Sequence, residues 1–371
     1  MNNQNRFKEK VTIDDVARLA GVSKSTVSFV LNNRPSISAA TRDRVRDVIR
    51  KLNYQPNQIA RSLSSRQTRS IGLVVKQIDN PYFTKIMRGV FEYFSGCGYT
   101  VLLGSSELQP DREKSSIEAL LRQRVDGLIL SPLQGSDADM SHLSLISQNQ
   151  VPLVLLEKVA NVAANVVDIR NEGAACEAVS YLIGLGHRKI AYYSGPDYSM
   201  HNRERLTGYR RAMMEHGLPF SASGVRQAGV YLADGYAAAK AQFSGSGERP
   251  TAVFCFNDLV AIGVMNALME LGVHIPEDVS VIGFDDIEFC GSVRVPLSSI
   301  RVPAYEMGKA AADLLMQQIG KTDSVIRKTV ELEATLVPRA SCARADGRPA
   351  GGIPKKKHAS PDGLRTAGGM A

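Results

Sequence analysis

The stretch GVSKSTVSFVLN, residues 21–32, sets Lys24, Ser25, Ser28 and Phe29 on one side of a short helical pattern and Val27, Val30 and Leu31 on the other. A lysine can donate to guanine O6 and N7 or to a phosphate, a serine hydroxyl can serve either, and a phenylalanine ring can press on a thymine methyl. Free N–H groups at a helix start also suit phosphates. Ser23, placed to cap this helix, and Thr26 beside the turn are therefore expected near the backbone of a nucleic acid. Thr12 and Asn32 complete the DNA contacts expected of this segment.

Those side chains need a scaffold, and the flanking sequence supplies one. Ile13, Val16, Ala17 and Ala20 share one helical face that ends at Gly21, and Thr12 with Asp15 has the spacing of a capping box. A third helix is expected from about Ser38 to Leu52, with Val45, Val48, Ile49 and Leu52 inward and Arg42, Arg44, Arg46, Arg50 and Lys51 outward. Two short helices joined by an A-G-V-S turn and followed by a third read as a helix-turn-helix. A small helical module that binds protein is the alternative, and charge argues against it. Residues 1–69 carry 14 Lys and Arg against 5 Asp and Glu, residues 70–338 carry 24 against 30, and residues 339–371 carry 7 against 2. A basic head on a mildly acidic body suits a polyanion met by the head alone.

Composition bounds the rest. A chain of 371 residues with 44% hydrophobic content can fill more than one domain. It has no run of 18 apolar residues and no apolar stretch near MNNQNRFKEK, so a soluble, cytoplasmic, nucleoid-associated protein without membrane partners is expected. Cys97, Cys176, Cys255 and Cys290 read as reduced core or near-core residues. Their wide spacing, shared by Cys342, offers no metal site. The chain lacks a G-x-G-x-x-G turn, a Walker loop and a G-x-S-x-G elbow, and no cofactor or catalysis is expected.

From residue 70 the pattern changes. Short apolar runs at 70–75, 100–104, 125–130, 151–156, 189–194, 251–256 and 279–284 alternate with helical stretches at 83–96, 112–123, 172–185, 203–216, 258–271 and 304–318. Short buried strands between helices imply parallel sheets covered on both faces, and their number calls for two doubly wound α/β lobes. Ligands of such sheets bind beyond the strand C-termini. Asn257 and Asp285 end two strands, Tyr82 and Phe83 follow the first, Lys76 ends it, and Arg203 and Arg205 follow KIAYYSG. Asp168, His201 and Tyr231 are further candidates. Asp258 and Asp286 read as helix-cap or turn residues.

The ordered motifs VTIDDVARLAGVSKSTVSFVLN, NYQPNQIARSL, SIGLVV, DNPYF, RVDGLIL, GHRKIAYYSG, TAVFCFNDLVAIG and PEDVSVIGFDD resemble the LacI/GalR family of bacterial repressors from residue 11 to about 340. The resemblance implies a disordered stretch at 1–10, a helix-turn-helix domain at 11–56, and a hinge helix and linker at 57–68. It further implies a periplasmic-binding-protein-like body at 69–341 that binds an effector and forms the homodimer, then a disordered tail at 342–371. In the body, the N-lobe is placed at 69–166 and 301–326 and the C-lobe at 167–300 and 327–341. Asn57, Ala60, Arg61 and Leu63 fall in the hinge helix, where Leu63 matches a leucine that wedges into the minor groove. Arg205, Asn257 and Asp285 match positions that hold the effector, and Tyr82 and Phe83 match an aromatic floor. Phe29 stands where many members carry a longer polar or basic residue, and Lys76 where proline is usual. The expected function is a repressor that binds a pseudo-palindromic operator as a dimer, switched by a small molecule. A monosaccharide or sugar acid is expected from the Asp, Asn and Arg set with Lys76, His201 and Arg203, and a purine or nucleoside is the alternative; a sugar-binding protein would share the body but not the basic head.

Overall fold

The computed structural model describes residues 11–31, 33–54, 67–134, 141–159, 162, 164–245, 249–320 and 327–346. The expected contacts at Asn32, Asn57, Ala60, Arg61 and Leu63 lie outside the described residues. The chain divides into two compact units at Arg69 and Ser70.

The first unit holds three helices. α1 (Ile13–Ala20) starts with the capping box: the Asp15 backbone N–H donates to Thr12 Oγ1 at 3.4 Å, and the Thr12 backbone N–H donates to Asp15 Oδ2 at 3.0 Å. It ends at Gly21, whose φ of 63° is a left-handed cap that a Cβ would strain. α2 (Lys24–Leu31) follows after a turn short enough to fix the two axes, and α3 (Ala39–Lys51) is capped by Ser38. Val16, Ala17, Ala20, Val27, Val30 and Val45 form the core, against which Leu31, Val48, Ile49 and Leu52 are partly buried. Leu31, expected to be buried, is half-exposed because it sits at the last turn of α2.

The second unit contains two six-stranded sheets. The first has the order β11-β5-β4-β3-β1-β2, built from β1 (Ser70–Val75), β2 (Thr100–Ser105), β3 (Gly127–Leu130), β4 (Leu153–Leu155), β5 (Asn165–Ile169) and β11 (Thr329–Leu332). The second has the order β12-β10-β9-β8-β6-β7, built from β6 (Ile190–Ser194), β7 (Val225–Gln227), β8 (Ala252–Cys255), β9 (Ser280–Asp285), β10 (Ser298–Arg301) and β12 (Thr335–Val337). All pairings are parallel except β10 with β12. The central strands are uninterrupted runs of buried residues, as strands covered on both faces require.

Each lobe thus has one sheet, and the chain crosses between them three times. The crossings differ from the expected boundaries. β5 pairs with β4 and β11 as far as Ile169, so the first crossing follows residue 169 rather than 166. Arg301 still pairs with Asp285 in the C-lobe, and Thr329–Leu332 belongs to the N-lobe sheet rather than the C-lobe. The expected tail is also shorter at its start: Cys342 and Ala343 are buried, and the Ala345 N–H donates to the Leu185 carbonyl at 2.9 Å. A buried histidine explains this. His187 Nδ1 meets Thr251 Oγ1, and Nε2 meets Ser280 Oγ and the Ala343 carbonyl, each at 3.0 Å, so the segment closes over the starts of β8 and β9. All five cysteines are free thiols, and Cys97, expected in or near the core, is exposed because it caps the end of its helix.

The helices are α4 (Pro81–Gly96), α5 (Pro110–Arg122), α6 (Ser141–Gln148), α7 (Asn171–Gly184), α8 (Met200–Glu215), α9 (Leu232–Phe243), α10 (Asp258–Glu270) and α11 (Ala304–Met316). Three pairs touch through backbone. A Cβ on Gly89 of α4 would lie 2.2 Å from the Tyr305 carbonyl oxygen of α11, and one on Gly308 would lie 2.2 Å from that of Ile86. Gly235 and Gly263 do the same between α9 and α10, against Val260 and Leu232, and Gly208 of α8 sits on Glu172 of α7. Charged groups hold the crossings: Asp286 accepts from Arg301 Nε at 2.7 Å and Arg339 Nη2 at 2.6 Å, and Glu331 pairs with Lys158 at 3.0 Å and Arg170 at 3.2 Å.

Among the described residues no helix is long and apolar enough to cross a membrane, and no group of His, Cys, Asp or Glu is placed to hold a metal ion.

Candidate functional site

In the first unit, α2 presents the side chains read from the sequence. Ser23 Oγ accepts the Thr26 N–H at 3.1 Å and hydrogen-bonds Ser25 Oγ at 2.7 Å and Thr26 Oγ1 at 2.9 Å. It is a helix cap, worth about 1 kcal/mol, and it holds the first turn of α2 in place. Lys24 Nζ lies 2.7 Å from Asp14 Oδ1 with both groups largely exposed. Such a pair contributes at most about 1 kcal/mol, so the ammonium is readily released to a phosphate. Ser25 is exposed, Thr26 and Ser28 are half-buried, and the Phe29 ring is 43% exposed on the helix surface. Thr12 is exposed at the start of α1. On α3, Arg44, Arg46, Arg50 and Lys51 are exposed. Arg42 instead donates to the carbonyls of Arg34 and Ile37 at 3.0 and 3.3 Å, which fixes the loop after α2.

In the second unit a cleft opens between the lobes, beyond the C-terminal ends of β1, β8 and β9. It gathers Lys76, Tyr82, Phe83, His201, Arg205, Asn257 and Asp285, all expected from strand ends and loops. Gln77, Leu133, Glu157, Tyr198, Val230 and Phe256 also line it, and none of these was expected. Glu157 follows the apolar run of β4 and is buried, 1% exposed.

Arg205 sits at the base, 5% exposed. Its Nε donates to Asn171 Oδ1 at 3.1 Å, its Nη1 to the Phe256 carbonyl, and its Nη2 lies 3.9 Å from Asp285 Oδ1. The guanidinium lies 3.6 Å from the centre of the Phe284 ring and 4.8 Å from that of Phe256. Asp285, 7% exposed, has a φ of 112° and is followed by Asp286 at 54°. Left-handed geometry at two successive aspartates is strain held at the end of β9. Burial pushes the Asp285 carboxyl up to about 8, with Arg205 opposing and Asp258 adding to the rise. Asp258 is itself raised to about 6, chiefly by burial, although Ser299 Oγ and the Ile287 N–H donate to it at 2.6 and 2.9 Å. Asn257 lines the wall, but its side chain is spent on structure: Oδ1 accepts the Val260 N–H at 2.8 Å as the cap of α10, and Nδ2 donates to the Val230 carbonyl at 3.0 Å.

The N-lobe side of the cleft is charged and internally paired. Lys76 Nζ donates to Glu157 Oε1, whose side chain is 1% exposed. His201, from α8 of the other lobe, brings Nε2 to 3.2 Å from Glu157 Oε2 and 3.5 Å from Asp168 Oδ1. The approach to Glu157 lacks the angle of a hydrogen bond, so Glu157 Oε2 and His201 Nε2 both keep a hydrogen-bonding valence free, as does Gln77 Nε2. Tyr82 and Phe83 meet edge to face with ring centres 4.9 Å apart, and the Tyr82 hydroxyl reaches Met307 Sδ at 3.8 Å.

Three expected effector residues are not on the wall. Asp168 is buried behind His201, where it accepts the backbone N–H of Ile169 at 2.8 Å and of Lys158 at 3.3 Å. Arg203 is exposed and donates to the Asp197 carbonyl at 3.1 Å. It is two residues from Arg205 on the same helix, so the two point to nearly opposite sides. Tyr231 is 41% exposed at the cap of α9.

Comparison with known proteins agrees with both units. Residues 12–57 match the model for bacterial regulatory proteins of the lacI family, and residues 179–342 match a periplasmic binding protein-like domain. The "HTH-type transcriptional repressor PurR" of Photobacterium profundum is 34% identical over 333 residues, covering 89% of this chain and 98% of the relative. That of Vibrio vulnificus is 36% identical, covering 88% and 97%. Among solved structures, the lac repressor dimer bound to operator and the anti-inducer ONPF superposes with a TM-score of 0.81 at 28% identity, covering 90% of this chain and 100% of that one. The regulator CelR in complex with cellobiose reaches 0.66 at 30% identity, covering 89% and 99%. None of these relatives is an enzyme. A basic three-helix reader, a two-lobed body with a cleft and full-length relatives above 30% identity lead to one conclusion: the chain belongs to the lacI family of bacterial regulatory proteins, the ligand-responsive transcriptional repressors.

Proposed function

We propose that the protein represses transcription by binding a pseudo-palindromic operator as a homodimer, and that a neutral purine base or nucleoside in the cleft sets its affinity for DNA. α2 enters the major groove, with Ser25, Ser28 and Phe29 toward base edges and Lys24 and Thr26 toward phosphates. A two-fold dimer presents two such helices to successive grooves. The effector acts by its difference in affinity between two arrangements of the lobes.

The observation that supports a purine over a sugar acid is that the cations on the Glu157 side of the cleft already face carboxylates. Lys76 is held by Glu157, His201 faces Glu157 and Asp168, and Arg203 is outside. What remains for a ligand is a set of aromatic faces, Tyr82, Phe83 and Phe256, beside a few open hydrogen-bonding atoms. Aromatic walls with sparse polar groups suit a planar heterocycle. Relatives covered over almost their whole length carry the name PurR, which supports the same class. A neutral sugar is the second reading, favoured by the cellobiose complex of a 30% identical regulator.

A thermal-shift panel of guanine, hypoxanthine, adenine, guanosine, ribose, glucose and cellobiose tests this. A binder should raise the melting temperature by mass action, and then change the affinity for operator DNA. A response to sugars alone would remove the purine reading. A footprint without two-fold symmetry would remove the dimeric operator.

A further inference from the structure

We infer that Glu157 sets the charge of the effector: it neutralises Lys76, takes one N–H or O–H of the ligand on its free Oε2, and excludes anionic congeners. The inference rests on the cleft being the effector site. It does not depend on whether the effector is a purine or a sugar.

Lys76 and Glu157 close neighbouring regions of one sheet, the ends of β1 and β4, and meet beneath the cleft. A buried carboxylate is tolerated only when paired and hydrogen-bonded, and half of this one is. Oε1 takes Lys76. Oε2 has no hydrogen-bond partner among protein groups, although the side chain is 1% exposed and on the cavity wall. Gln77 Nε2 beside it, and His201 Nε2 facing it from the other lobe, also lack a hydrogen-bond partner. Among the described residues, three of the five buried side-chain atoms without partners therefore line one cleft, two from the N-lobe and one from the C-lobe. A ligand donor at Glu157 Oε2, with acceptors for Gln77 Nε2 and His201 Nε2, completes all three.

The same placement works against an anion. A lysine at the mouth of a strand would otherwise attract a phosphate or carboxylate, and Glu157 both occupies that ammonium and puts a negative charge against the incoming group. Arg205 offers the ligand only Nη2, since its Nε and Nη1 are committed to Asn171 and the Phe256 carbonyl, and it is not in contact with the Lys76–Glu157 pair that the test perturbs.

E157Q keeps the shape and removes the charge. Two readouts on the full-length protein are used. In the first, inorganic phosphate, which needs no knowledge of the effector, is titrated while the melting temperature is followed. Wild type should show no phosphate-specific rise against chloride at equal ionic strength. E157Q should rise by about 2–4 °C, and K76M/E157Q, in which the freed cation is gone, should lose that rise. In the second, calorimetry compares guanosine with its 5′-monophosphate and glucose with glucuronate. In a pair that binds, wild type should prefer the neutral member, and E157Q should narrow the preference at least tenfold.

A phosphate response in wild type equal to that of E157Q would overturn the inference, as would a rise in E157Q that survives loss of Lys76. If E157Q does not fold, the wild-type titrations decide: preference for the anionic member, or protection by phosphate, defeats it. Failure of every purine and nucleoside to bind would count against the purine reading alone, because the phosphate comparison stands without them.

Discussion

Replacing Arg205 by lysine keeps the charge and removes the fork. The buried guanidinium satisfies Asn171 Oδ1 and the Phe256 carbonyl and lies 3.6 Å from the centre of the Phe284 ring. An ammonium on a shorter stem reaches one of these acceptors and leaves the other unpaired, at about 1–3 kcal/mol. Loss of the planar stacking adds about 1 kcal/mol, part of the roughly 2 kcal/mol such a contact is worth when dry. The body should lose about 2–4 kcal/mol, which moves its urea midpoint by roughly 1 M. Effector affinity should fall a further ~10- to 100-fold if the guanidinium donates to the ligand, as one charge-assisted hydrogen bond is worth about 1.5–3 kcal/mol. With 12 tyrosines and no tryptophan, tyrosine fluorescence reports the unfolding and calorimetry reports the binding. A wild-type midpoint together with wild-type affinity for R205K would refute the role given to the fork. Weaker binding at an unchanged midpoint would leave Arg205 as a ligand contact with no structural task.

Asp285 makes stability depend on pH with a definite sign. Its carboxyl is raised to about 8 by burial, so its contribution is complete below the ordinary aspartate range and is lost as pH rises toward 8. D285N should flatten the decline between pH 5 and 9 in denaturation of the ligand-free protein; an unchanged slope would contradict the assignment. F29A should relax base preference at one operator position by about 1–3 kcal/mol with little loss of stability, since the ring is 43% exposed. Binding-site selection that returns the wild-type motif would take Phe29 out of the readout. G263A, whose Cβ would meet the Leu232 carbonyl oxygen at 2.0 Å, should cost about 3 kcal/mol, while G96A, with open space around it, should be neutral or slightly stabilising. Equal midpoints for the two in urea would show that α9 and α10 can part without loss.

The elements that could be read from sequence were those whose apolar runs are continuous. β1, β3, β6, β8 and β9 are such runs, and the doubly wound architecture follows from them. β5, β7, β10, β11 and β12 had no counterpart among the expected strands. Asp168 interrupts NVVDI, and VRQ, SSIR, TVEL and TLV are too short or too polar to stand out. These strands set where the chain changes lobe, so the boundaries shifted with them. Site residues at strand ends were legible because topology alone places them. Arg203 was misplaced by helical phase, which a list of loop residues does not contain. Glu157 was missed because its meaning depends on Lys76, 81 residues earlier, arriving beside it. The case for a sugar acid over a neutral monosaccharide leaned on the same pair, and a cation counts toward a ligand only when no carboxylate has already claimed it.

The glycines that let α4 meet α11, α7 meet α8, and α9 meet α10 have a mechanical side. Where two backbones touch, no layer of side chains is left to shear or repack, and each such pair of helices is stiff as a unit. Displacement produced at the cleft is then not lost between paired helices, which leaves the passages between lobes, after Ile169, Arg301 and Leu332, as places to take it up. Those are the places where Glu331 clasps Arg170 and Lys158, and Asp286 clasps Arg301 and Arg339. In such a body the ionic clasps work as springs, and the stiffness of the response can be tuned there without touching a single group that lines the cavity.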